Sequence, residues 1–281
     1  MKHKITQEGN AFNPIDAALY RGLVRLRNAY DGLLGVRSVV MPLPSKMPLT
    51  VEMGDHLTPA IKDVYWHPLR NGIAQAPENP EDLHDWLNRQ LRNTTTWAAI
   101  LLLLMRYYRR TANYGGEVAL RQLGIDGTFN LTDAESLAML DDRATMLTTA
   151  GSDINLIDTT VSDLASAIPA AQALGDGALM AIGAYIAGRA LTRAVGIATY
   201  ESPWAFNQGM GMTYRNNGIV TMMYDVNGVG CPEICAPLHG ETFPANAVPA
   251  HLSLPQHSGC DCIHSPLTEG WSQPDMIWLG G

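Results

Sequence analysis

The chain has 281 residues, of which 46% are hydrophobic and 16% are charged, and this composition is that of a globular rather than a disordered protein. The net charge of −8 is unevenly distributed: residues 1–127 contain 15 Lys and Arg against 12 Asp and Glu, whereas residues 128–281 contain 4 against 15. The acidic second part argues against general nucleic-acid binding, because phosphate recognition needs clustered basic side chains.

The first part of the chain predicts two helices separated by an irregular segment. Apolar residues at helical spacing predict a helix over residues 16–30. Residues 36–77 are punctuated by proline and glycine and predict an extended, wandering segment. Asn79, followed by proline and acidic residues, predicts the start of a second helix, which we expect to end near Ala112 because residues 113–116 include two glycines.

The middle of this second helix, residues 97–105, is apolar on every side and predicts burial all round, in a bundle or against a partner protein. The two most apolar runs of the chain, residues 93–105 and 177–188, are shorter than the roughly 20 residues that cross a membrane. We therefore expect no membrane contact. Arg106, Arg109 and Arg110 form the one local basic cluster, which is typical of a solvated helix end and allows weak contact with nucleic acid.

The second part predicts three more helices and a strand. Thr132 caps a helix that we expect to run to about Thr149, and further helices are predicted over residues 158–172 and 177–200. Residues 219–224 predict a strand. The expected fold is α+β, mainly α-helical, with a small irregular β-containing cysteine module at the C-terminus. We divide the chain into a helical N-terminal adaptor region with a proline-rich extended segment, a helical core and the cysteine module, at residues 1–127, 128–217 and 218–281.

All four cysteines lie in the last fifth of the chain, as two close pairs: Cys231 with Cys235, and Cys260 with Cys262. Paired ligands on short loops suit the four-coordinate geometry of structural zinc, and His257 is an alternative ligand. Disulfides across the loop and free buried thiols remain open as alternatives.

A catalytic interpretation of the cluster is weaker. A hydrolytic zinc site needs three protein ligands, a water and a nearby acid, for which Glu233 and Glu241 are the candidates. A cysteine nucleophile could take His239 or His257 as its partner, but one such pair within a cysteine cluster is poor support. We therefore predict no enzymatic activity and keep a zinc- or thiol-dependent enzyme as the alternative.

Ordered motifs in residues 128–265 resemble the phage Mu F-like head morphogenesis (minor head protein) family. The matching elements run in the family's order and are, in this sequence, Phe129-Asn130-Leu131-Thr132 with Arg143-Ala144, Arg193-Ala194 with Ile197-Ala198 and Glu201, Asn207-x-Gly209, Cys231 with Cys235, Leu238-His239-Gly240, Pro244, and His257-x-x-Cys260-x-Cys262. The chain departs from the family pattern by one extra residue in the first cysteine pair, by Thr199-Tyr200 in place of Arg-Thr, and by Ser258 in place of proline.

The resemblance implies a minor head (capsid) protein of a tailed bacteriophage, assembled in the host cytoplasm and located in the virion. It implies several copies bound to the portal protein or the major capsid protein, a role in head morphogenesis and in DNA packaging or ejection, and at most weak contact with packaged DNA. A toxin-delivery module is a further alternative. Within the motif, we expect Glu201 and Asn207 to form a buried polar pair that fixes a turn at the end of the helix, with Gly209 at its C-terminus.

Overall fold

The computed structural model describes residues 47–92, 94–148, 156–226, 233–257 and 260–267, all of which belong to one compact unit, Lys46–Glu269. The helix predicted over residues 16–30 lies outside the described residues. Across them run six α-helices and three strands: α1 (Met47–Trp66), α2 (Pro80–Leu91), α3 (Thr94–Gln122), α4 (Asp133–Thr148), α5 (Leu156–Gln172), α6 (Ala178–Asn216), β1 (Thr221–Asp225), β2 (Thr242–Pro244) and β3 (Ile263–Pro266).

The hydrophobic core lies between the helices. Helix α6 packs along α3 and α1, while α2 packs on α5. The core includes Leu57, Leu87, Leu104, Leu164 and Ile186, all fully buried, so helices from both sides of the predicted boundary at residue 127 share one interior. The predicted fold class is confirmed, because the described chain is mainly helical and carries a small sheet next to a Cys/His cluster.

The sheet has three antiparallel strands in the order β2-β1-β3, with β1 in the centre. Met222 faces Phe243 of β2, and Tyr224 faces His264 of β3. The strand predicted over residues 219–224 corresponds to β1. Because β3 follows Cys262 directly, the register of the sheet fixes the second cysteine pair at one end of β1.

The predicted helix starts are confirmed by their capping contacts. The Glu81 amide donates to the Asn79 side chain at 2.9 Å, at the start of α2. At the start of α4, the Glu135 amide donates to Thr132 Oγ1 at 3.2 Å and the Thr132 amide donates back to Glu135 Oε2 at 2.9 Å, which is a complete capping box. Capping residues lie within a few positions of the helix start, so they can be recognised in the sequence.

The prediction of an extended segment over residues 36–77 is wrong for its central part, which is helix α1. One face of α1 repeats apolar residues at helical spacing, and Met53, Leu57, Ile61 and Val64 are buried in the core. Pro59 lies on the opposite, exposed face of the helix. Burial of an apolar face therefore outweighs the cost of one proline.

The helix predicted from Asn79 to Ala112 is instead two helices, α2 and α3, and the two glycines expected to end it lie inside α3. A Cβ on Gly115 would lie 2.1 Å from the Phe206 carbonyl oxygen, and one on Gly116 would lie 2.1 Å from the Phe129 ring. These glycines permit close packing against α6 and the α3–α4 connection rather than ending a helix.

The prediction that residues 97–105 are buried on every side is also wrong. Ile100 and Leu104 are fully buried, whereas Leu102 is 60% exposed. One face of this stretch contacts the neighbouring helices, and the opposite face is exposed. Packing into a bundle, the first of the two predicted surroundings, is confirmed.

The helix predicted over residues 177–200 continues to Asn216 as part of α6. The polar turn predicted at Glu201 and Asn207 is therefore wrong, because both residues lie inside the helix. The side chains of Glu201 and Asn207 form hydrogen bonds with residues of other elements. By length and composition alone, the segment Gly175–Asn216 would suffice to cross a membrane, a test that core helices of soluble proteins also pass.

Candidate metal centre and its supporting contacts

Three side chains of the cysteine module converge on one point. The Cys235 sulfur lies 3.2 Å from His257 Nε2 and 3.9 Å from the Cys260 sulfur. The three ligand atoms all lie within 4.8 Å of one another, a spacing that allows one metal ion to contact all of them. Sulfur and imidazole nitrogen are the donors that zinc prefers in structural sites.

Short backbone turns hold these three residues in place. Cys235 precedes a 3₁₀ turn, Ala236–Leu238, and its carbonyl accepts the Leu238 amide at 3.0 Å. The Cys260 amide donates to the His257 carbonyl at 3.1 Å, which holds the histidine and the cysteine close together. The cluster is therefore fixed by local loop geometry at both of its sequence positions.

The three described cysteines are free and buried, with exposures of 0% for Cys235, 1% for Cys260 and 2% for Cys262. A hydrogen bond with the Cys262 thiol lowers the pKa of Cys260 to about 5, and the same hydrogen bond raises the pKa of Cys262. Burial raises the pKa of Cys235. Cys260 is therefore the more acidic thiol of the pair, and a thiolate is the form that binds metal.

The predicted ligands occupy different places in this arrangement. Cys235 and Cys260 lie in the cluster together with His257, which the sequence offered as an alternative ligand. Cys262 lies beside Cys260 as its hydrogen-bond partner and outside the set of three. Cys231 falls outside the described residues.

The other histidines and acids considered for catalysis have different partners. The Val226 amide donates to His239 Nδ1 at 3.1 Å, at the end of β1. His251 pairs with Glu241 at 3.1 Å. Glu233 is exposed. The described part of the chain therefore places no acid among the three convergent ligands.

Asn207 joins the cysteine module to the helical core. Its Nδ2 donates to the Cys262 carbonyl at 3.3 Å and to the Pro203 carbonyl at 3.0 Å, and its Oδ1 accepts the His264 amide at 3.2 Å. The side chain is buried and satisfies backbone groups on either side of Ile263. Asn207 therefore attaches the start of β3, and with it the second cysteine pair, to α6.

Glu201 forms a buried ion pair instead of the predicted pair with Asn207. Arg143 of α4 donates from Nε to Glu201 Oε2 at 3.0 Å and from Nη2 to Oε1 at 2.5 Å. Tyr108 of α3 donates to Oε2 at 2.6 Å, and the Arg143 guanidinium also lies 4.7 Å from the centre of the Trp204 ring. Burial, followed by the neighbouring Glu201 carboxylate, raises the pKa of Tyr108 well above its usual value.

Sequence reasoning placed Tyr108 only beside the basic cluster and Arg143 only within a motif, and it connected neither residue with Glu201. These residues lie 93 and 58 positions from Glu201, so no local pattern connects them. One usable signal existed: Arg143 is one of only four basic residues after residue 127. A scarce arginine in an amphipathic helix is a reasonable partner for a buried acid.

The predicted basic cluster is largely neutralised. Arg109 pairs with Asp133 at 2.8 Å, and Arg110 pairs with Glu52 at 2.6 Å. Arg106 is exposed. Two of the three charges are thus matched within the protein, which weakens this surface as a site for nucleic acid.

Comparison with known protein families, with curated proteins and with solved structures gives no match to this chain.

Proposed function

We propose that this protein is a structural component of a tailed-phage head, a minor head protein, and that its cysteine module is closed by one structural zinc ion. The observation that carries the zinc assignment is the convergence of Cys235, His257 and Cys260 within mutual ligand distance in a buried site. Three donors of this type fit zinc, and the sequence offers Cys262 or Cys231 as the fourth ligand.

Burial of the sulfurs supports a structural rather than a catalytic role. A cysteine nucleophile or a hydrolytic zinc needs an approach for substrate, whereas the described thiols are at most 2% exposed. A disulfide is less favoured than zinc, because Cys235, Cys260 and Cys262 are free and the Cys235 and Cys260 sulfurs are 3.9 Å apart rather than about 2.05 Å.

The head-protein assignment rests on the family resemblance and on what its motif residues do in this fold. Glu201 holds α4 to α6 through Arg143, Asn207 attaches the cysteine module, and Gly209 allows α3 to approach α6. All three therefore have architectural tasks, as expected of residues that define a scaffold. The proposed partners are the portal protein or the major capsid protein, contacted by several copies of this chain within the virion. A role in DNA packaging or ejection, with weak contact to packaged DNA, belongs to the same proposal.

Co-sedimentation of the full chain with assembled portal rings and with capsid protein of the same phage tests this assignment. We expect saturable binding of several copies to one of the two assemblies. The comparison variant is Asn207→Asp, which removes the two hydrogen bonds that the Asn207 amide donates to the Pro203 and Cys262 carbonyls. A wild-type protein that stays a free monomer with both assemblies contradicts the assignment.

A further inference from the structure

We propose that Tyr224 is a positioning residue of the metal centre, whose buried hydroxyl donates a hydrogen bond to the Cys262 sulfur when metal is bound and holds it against the metal ligand Cys260. This inference rests on the zinc site proposed above and adds to it an outer layer of contacts. Nothing in the cysteine spacing points to this residue, which lies in β1, before the first cysteine pair.

The backbone of the central strand fixes the Tyr224 ring. The Tyr224 amide donates to the Glu241 carbonyl at 2.8 Å, and its carbonyl accepts the Gly240 amide at 2.9 Å. On the other side Tyr224 faces His264 of β3, with ring centres 6.1 Å apart. The side chain is fully buried, so its hydroxyl cannot turn outward to water.

The hydroxyl at the end of this ring is unsatisfied within the part of the chain that the structure describes. It is one of three buried side-chain polar atoms there that have no hydrogen-bond partner of regular geometry. Cys262 lies two residues before His264, the partner of Tyr224 in β3, so strand alternation places its side chain on the face of the sheet that carries the Tyr224 ring. Burial, and after it hydrogen bonding with Cys262 and then Cys235, raises the pKa of Tyr224. A buried polar group without a partner normally has a reason, and here the reason is a sulfur cluster that accepts hydrogen bonds once it carries negative charge.

Thiolates gathered around a zinc ion bring excess negative charge into a buried site, and donors to their sulfurs offset it. Outer contacts of this kind orient the ligands and commonly change metal affinity when they are removed. From Tyr224 the sheet leads to Cys262, which lies two residues from the metal ligand Cys260. Phenylalanine at this position would fill the same space and donate no hydrogen bond.

The test measures the zinc affinity of the full chain by competition with a chromophoric chelator, for the wild type, Tyr224→Phe and Tyr214→Phe. Tyr214 is the matched control, because it is a fully buried tyrosine whose hydroxyl donates to Gln122, away from the sulfurs. We expect Tyr224→Phe to bind zinc about 10- to 100-fold more weakly. Tyr214→Phe should stay within about twofold of the wild type.

Cobalt replacement supplies a second readout, because the sulfur-to-cobalt charge-transfer absorption reports on the thiolates directly. We expect this absorption to shift in Tyr224→Phe and to stay unchanged in Tyr214→Phe. Equal zinc affinity of Tyr224→Phe and wild type, or an equal loss in both variants, overturns the role of Tyr224 while the zinc site stands. A wild-type chain that binds neither metal overturns the zinc site as well.

Discussion

Glu201 and Arg143 form an ion pair whose side chains are 3% and 4% exposed, so neither charge can be moved into water without rearranging the helices. Removing one member leaves the other buried and unpaired, which typically costs about 3–5 kcal/mol of unfolding free energy. We expect this loss for Glu201→Ala in urea unfolding monitored by circular dichroism.

The double variant Glu201→Leu with Arg143→Met provides the control, since it removes both charges and keeps similar volume. We expect it to recover part of the lost stability, because buried ion pairs and apolar replacements of their size are often equivalent, whereas the buried Tyr108 hydroxyl still loses its acceptor. A double variant as unstable as Glu201→Ala would show that the pair is not the source of the effect.

Asn207 offers a second test at the residue scale. In Asn207→Asp the carboxylate can still accept the His264 amide, but it cannot donate to the carbonyls of Cys262 and Pro203 and places a charge beside them. We expect a loss of at least about 2 kcal/mol in unfolding free energy, together with faster proteolysis after residue 217.

The neighbouring variant Gln208→Glu makes the same amide-to-carboxylate change at a partly exposed position. It should stay within about 0.5 kcal/mol of the wild type. Similar losses in the two variants would mean that helix α6 resists added negative charge in general and that Asn207 has no special contact with the module.

Sequence reasoning identified Glu201 and Asn207 as buried polar residues but paired them with each other. The error has a physical cause, because the two residues lie six positions apart in a helix and contact different elements. Glu201 binds Arg143 of α4, whereas Asn207 binds the backbone at the start of β3. The pattern of a chain can show that a polar residue interrupts an apolar helix. It does not show which distant element satisfies that residue.

At the scale of elements, helices α3 and α6 cross in close contact at Gly209. A Cβ on Gly209 would lie 1.9 Å from the Ala112 carbonyl oxygen, a distance that no side-chain movement can relieve. We expect Gly209→Ala to lose about 3 kcal/mol or more of unfolding free energy, since the two helices must separate. Thermal unfolding followed by circular dichroism measures the change.

Gly188→Ala is the control within the same helix, because a Cβ there meets nothing within 4 Å. Alanine is the better helix former, so this variant should gain up to about 1 kcal/mol. A stabilised Gly209→Ala would contradict the close crossing of α3 and α6.

The elements that the sequence predicted well are those with local signals: the capped starts of α2 and α4, helix α5 and strand β1. Glycine misled the prediction at Gly115, Gly116 and Gly209, because the same residue that ends a helix also permits two helices to touch. Proline misled it in α1, where an amphipathic face compensates for Pro59. Whether a glycine ends a helix, and whether a helix tolerates a proline, both depend on tertiary contacts and cannot be predicted from the segment alone.

At the scale of the whole molecule, the cysteine module is attached to a helical core rather than separate from it. Asn207 binds its backbone, and β3 contacts α6 directly. The sequence located the module, its candidate ligands His257, Cys235 and Cys260, and the strand that precedes it. Their convergence, the position of Cys262 and the role of Tyr224 depend on the folding of two loops and a sheet, which spacing alone does not determine.

The central claim is that a metal ion closes this module, and hydrogen exchange of the full chain with zinc and with chelator tests it most directly. With chelator we predict that amides of β1, β3 and residues 233–257 lose protection, while amides in the middle of α3 and α6 keep theirs. Equal protection of the module in both conditions would contradict the account.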